Sequence, residues 1–150
     1  MLLKPKRLLM AKEESGSLDA KLKHLDMIQA IVNRLASNSF VFKGWAATVI
    51  AGISAFAAKD TSRRIMLVAL LATLLFWLSD AYYLSLERRY RVLYQHVADL
   101  PNDKINFSMK LLDNHKFKAW FKALYSEILI VFYGLASMLI IVAYWLIRGH

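Results

Sequence analysis

Twenty consecutive residues, Ile128 to Ile147, carry no charged side chain. A run of that length is what an α-helix needs to cross about 30 Å of bilayer hydrocarbon, and no single element of a soluble domain needs it. Two further runs follow the same rule. Ile65 to Leu86 is interrupted only by Asp80, and Gly44 to Ala58 is uncharged throughout. With Lys43 snorkelling to the headgroups, the latter span reaches back to Ser39, about 20 residues in all. With 58% apolar residues in 150, the chain is one domain at most and too apolar for an ordinary soluble one. The fold class read from these runs is an all-α integral membrane protein with three transmembrane helices.

The formal charge of +9 would ordinarily raise nucleic acid as a partner, but here the basic residues flank the apolar runs, where anionic headgroups lie. Seven Lys and Arg precede residue 41, three sit in the turn from Lys59 to Arg64, and eight lie between residues 87 and 125. The positive-inside bias therefore puts the N-terminal segment and the long second loop in the cytosol, and the short turn and C-terminus outside. The basic first 17 residues are read as a flexible, retained N-terminus, because their apolar stretch, Leu8 to Ala11, is too short for a signal-peptide core. Trp45, Tyr82, Tyr83 and Trp120 then mark the inner interface, and Tyr144 with Trp145 the outer one.

Residues 18–58 read as a cytosolic helix continuous with the first span. Leu18, Leu22, Leu25, Ile28, Val32 and Leu35 recur every three or four positions after a possible N-cap at Ser17. Residues 65–100 read as the second span plus a cytosolic extension. Leu86, Tyr90, Leu93 and Val97 carry the apolar stripe there until Pro101 stops it. The two extensions are expected to pair as a stalk. Residues 104–125 form an amphipathic segment with Phe117, Trp120, Phe121 and Leu124 on one face among Lys116, Lys118 and Lys122. Lys116, Trp120 and Lys122 are its expected interfacial anchors, with lipid sensing as the alternative role. The third span occupies 126–147.

Asp80 is the most informative single residue, because an ionisable group inside a span is costly and usually faces a partner or water. Lys43 precedes Lys59 by 16 residues and Asp80 follows Arg64 by 16. In antiparallel helices both therefore lie roughly 24 Å from the outer turn. The two are expected to pair, within a protomer or across a boundary, either as a lock on helix register or as part of an ion pathway. Gly44, Thr48 and Gly52, with Ala47, Ala51 and Ala55, make the first span small on two adjoining faces. That permits close helix packing, within the chain or between copies.

Arg91 and His96 have the R-x4-H spacing of HEPN ribonucleases. Five positions are about 140° apart on a helix, so they converge only through dimerisation or distortion. An arginine cluster at Arg88, Arg89 and Arg91 is already explained as an inner-leaflet anchor. His24, His96 and His115 lack metal-ligand spacing, cysteine is absent, and the chain has neither a phosphate loop nor a nucleophile elbow. No enzyme, cofactor or metal is expected from these residues.

The run HLDMIQAIVNRLASNSFVFKGW (His24 to Trp45), DAYYLSLERRYRVLY (Asp80 to Tyr94), the FSM triplet (Phe107 to Met109) and SEILIVFYG (Ser126 to Gly134) resemble small bacterial membrane proteins of the SLATT type. More loosely, they resemble the membrane accessory proteins of RNA-targeting CRISPR systems. The resemblance covers roughly residues 20 to 135. It implies an oligomeric inner-membrane effector in anti-phage defence, pore-forming or otherwise permeabilising, triggered by a separate sensor protein. Its partners would be membrane lipids and further copies of itself, with nucleic acid not bound directly. The alternative is a non-conducting anchor or scaffold that recruits a cytosolic partner or RNA. A membrane-bound ribonuclease using Arg91 and His96 is the third reading.

Overall fold

The computed structural model describes residues 3–57 and 63–148. Ala58 and most of the expected turn from Lys59 lie outside the described residues, as do residues 149–150. All regular structure among them is helical. The order is α1 (Leu3–Ala57), α2 (Arg63–Asp99), a 3-10 turn (Asn102–Lys104), α3 (Lys116–Leu124) and α4 (Glu127–Arg148). Helix α1 begins well before Ser17 and takes in most of the basic N-terminal segment. Pro5 falls in its first turn, where a missing N–H is tolerated. Ser17 is no N-cap, for its hydroxyl donates to the Glu14 carbonyl inside the helix.

Two helices, α2 from Arg64 and α4 over Glu127–Leu146, are long and apolar enough to cross a membrane. Only 22% and 17% of their most apolar stretches are buried within the protein, so they are not the sheltered core helices of a soluble fold. The chain thus has the character of a membrane-associated helical protein. The first expected span, in α1, runs into residues outside the described ones and is not one of these two.

The chain divides into two compact units, and α1 and α2 each contribute to both. Unit 1 takes α1 up to Arg34 together with Glu87–Asn114. Its core is Ile28 and Val32 of α1 against Leu93 and Val97 of α2, with Leu25, Tyr90 and Tyr94 packed around them. The expected stripe on α1 is correct from Leu25 onward but not before. Leu18 and Leu22 are exposed, and His24 is buried in their place. Lys21 donates to the carbonyls of Ala98 (2.7 Å) and Leu100 (2.8 Å), two acceptors that the end of α2 leaves open.

Beyond Pro101 the segment expected to be amphipathic from residue 104 is irregular until His115, and only Lys116–Leu124 is helical. Instead of forming a helix, the stretch lies along the unit 1 core through Ile105 and Met109. Between them Phe107 adopts φ 53°, a left-handed conformation that side chains other than glycine rarely take. It is held by an Asn106 side chain that accepts from the Ser108 N–H and by a ring contact with His24 at 5.4 Å. Arg89 donates to the Asp113 carbonyl near the end of the stretch.

Unit 2 takes Leu35–Leu86 and everything from His115 onward. Ala46 of α1, Ala81 of α2, Ala123 of α3, and Leu129 and Tyr133 of α4 form its core. Three alanines among five core positions let the helix backbones approach closely. Two indoles tie α3 to α2 in reciprocal fashion. Trp77 donates to the Leu124 carbonyl (3.2 Å), which the end of α3 leaves without an intrahelical partner, and Trp120 donates to the Leu78 carbonyl (3.2 Å).

Candidate functional site

One turn of α1 separates Ser39 from Lys43, so both side chains leave the helix on the same face. Opposite them within unit 2 stands Asp80 of α2, wholly buried, and from α4 comes Tyr133, equally buried. The Lys43 ammonium lies 2.6 Å from Asp80 Oδ2. Tyr133 donates its hydroxyl to the same oxygen at 3.2 Å, while Ser39 donates to Oδ1. Lys43 also donates to Ser39 Oγ at 3.0 Å, which closes the network. The carboxylate therefore has donors from three side chains on two helices other than its own.

This arrangement meets the requirement that a buried charge be both paired and hydrogen-bonded. The pair as a whole is neutral. Lys43 keeps about 20% of its side chain exposed, whereas Asp80 is fully buried. Trp77 stacks nearly parallel to Tyr133 at 6.3 Å, and Phe132 meets that ring edge-on at 4.9 Å, fixing where the phenol points. The ion pair lies within one protomer. Ser39 and Tyr133 were not singled out from sequence. The signal for Ser39 was its i−4 spacing from Lys43, and for Tyr133 its hydroxyl within an otherwise greasy run.

The small-residue face behaves differently from packing inside the chain. Gly44, Ala47, Thr48, Ala51, Gly52 and Ala55 are all exposed. A Cβ built at Gly44 or Gly52 would meet nothing within 4 Å among the described residues. Thr48 donates to the Gly44 carbonyl of its own helix at 3.0 Å. Beside this face, Ala47 and Ala51 join Leu135, Ala136, Leu139 and Ala143 of α4 in lining an apolar groove of about 490 Å³.

The expected interfacial anchor is partly rearranged. Lys116 and Lys122 are exposed, but Trp120 turns inward to its bond with Leu78. Arg91 pairs with Glu87 on its own helix at 2.8 Å, and His96 is exposed further along. No group of three or more His, Cys, Asp or Glu side chains that could hold a metal occurs among the described residues.

Comparison with protein-family models, with curated proteins and with solved structures finds no match to this chain.

Proposed function

We propose that the chain is an oligomeric membrane effector that permeabilises a membrane when a separate sensor acts on it. In this reading residues 39–57 of α1 make a third span beside α2 and α4. Unit 1 stands in the cytosol as the part a trigger would act on, with the N-terminus inside and the C-terminus outside. The supporting observation is the buried Lys43, Asp80, Ser39 and Tyr133 network. Apolar residues would join these helices at lower cost, so an ionisable pair kept there marks a place where helices separate or an ion passes. The uncovered small-residue face of α1 supports assembly, because it allows close approach of a helix from another copy. A bacterial inner membrane and a role in anti-phage defence rest on the sequence resemblance alone, and no catalytic chemistry is assigned.

The test is membrane potential. Induction of the gene together with its genomic neighbours should depolarise cells, and Lys43→Met or Asp80→Asn should change the extent or threshold of the leak. Full retention of potential under activating conditions refutes the proposal. One observation favours the second reading, an anchor or scaffold: the carboxylate finds its partners inside a single chain, as a permanent register lock would require. That reading requires a cytosolic partner or RNA to copurify from membranes that never leak.

A further inference from the structure

Helix α3 has three distinct surfaces. Counting about 100° per residue from Lys116, the side chains of Ala119, Trp120, Ala123 and Leu124 occupy the arc turned into unit 2, where Ala123 is fully buried and the others are half-buried, while Lys116 on the same arc is exposed at the first turn. Phe117, Phe121 and Tyr125 occupy the next arc and are exposed, Phe117 at 71% and Tyr125 at 68%. Lys118 and Lys122 occupy the arc after that, and both are exposed. No acidic residue lies between Asp113 and Glu127 to neutralise them.

We infer that α3 is a docking surface for anionic phospholipid. The aromatic arc enters the acyl boundary, and the lysine arc beside it holds the phosphates. Three features of the protein carry this. The two exposed arcs are neighbours, as they must be for a helix lying flat at the boundary between hydrocarbon and headgroup. The lysines have uniform sign, so the surface complements a negative leaflet rather than a zwitterionic one. The inner arc is fixed by the reciprocal indole bonds of Trp77 and Trp120, so α3 meets the lipid already oriented. A soluble acidic protein would satisfy the lysines but leave three aromatic rings in water. The inference needs only that unit 2 sits in a membrane and is independent of whether the protein conducts.

The experiment compares full-length protein in nanodiscs of phosphatidylcholine alone and of phosphatidylcholine with phosphatidylglycerol, by hydrogen exchange of peptides covering residues 116–125. Each lysine near an anionic surface strengthens association about fivefold. The α3 amides should therefore be protected up to about 25-fold more in the anionic discs, with exchange in α2 and α4 unchanged. Lys118→Gln with Lys122→Gln should remove the difference between the two lipids. Lys104→Gln with Lys110→Gln, at exposed positions on the preceding stretch, should preserve it. Phe117→Ser with Phe121→Ser should lower protection in both lipids. Equal protection of the wild type in the two discs overturns the inference. So does an anionic preference that survives loss of Lys118 and Lys122, or that inorganic phosphate reproduces in neutral discs, or indifference of α3 to loss of the two phenylalanines.

Discussion

Splitting the Lys43–Asp80 pair should carry a large cost in stability. At 2.6 Å and an effective dielectric of about 20, the gross attraction is roughly 6 kcal/mol, much of it offset by desolvation of two ions. What a substitution reports is therefore the penalty of stranding the survivor. In Asp80→Asn, a neutral amide replaces a carboxylate that accepts from Lys43, Tyr133 and Ser39, and the amide nitrogen presents hydrogens to groups that are themselves donors. In Lys43→Met, Asp80 keeps its two hydroxyl donors but loses its counter-charge at a fully buried site. Each single change is expected to cost about 3–5 kcal/mol. The double variant has no stranded charge, so it should cost less than the sum by about 2–3 kcal/mol. Purified protein in dodecylmaltoside, titrated with dodecyl sulfate and followed by circular dichroism, gives the three values. Two single changes each below about 1 kcal/mol, or losses that add within about 0.5 kcal/mol, would refute the argument.

The same assay checks three further expectations. His24 is buried and neither ring nitrogen has a hydrogen-bond partner among the described residues, so His24→Leu should stabilise the protein by about 1–3 kcal/mol, and a loss of stability would mean that the imidazole has a partner. Trp120→Phe keeps most of the packing but removes the bond to Leu78, so it should cost about 1 kcal/mol and accelerate exchange in α3 selectively. Gly44→Ile with Gly52→Ile should leave the isolated chain folded, since a Cβ at either position meets nothing within 4 Å among the described residues. If copies associate through that face, the particle mass of the pair variant in detergent will fall.

The helical content and the two most apolar helices were legible because a long uncharged run has few ways to be satisfied. The first span was read from the same kind of run, Gly44 to Ala58, whose end lies outside the described residues. The Lys43–Asp80 contact followed from equal counts on either side of a turn, which works because rise per residue is constant along both helices. Ser39 and Tyr133 did not follow, since a hydroxyl in an apolar run gives no indication of which neighbour it faces. Pattern alone also misjudged Leu22 and His24. They are two positions apart, and burial was decided by what covers the helix there: Phe107, in a backbone conformation that no periodicity reveals. The reciprocal bonds of Trp77 and Trp120 to the Leu124 and Leu78 carbonyls were not legible, because they depend on backbone geometry that sequence does not display.

Opposite charges on Lys43 and Asp80 cancel, which leaves the closed network electrically silent. In a membrane, a voltage exerts no net pull on such a dipole, but drawing its two ends apart along the field direction would cost or release about 2.3 kcal/mol per elementary charge for each full 100 mV traversed. The pair itself therefore offers a membrane field no net charge while it is closed, and would offer one only once something else had parted the two side chains.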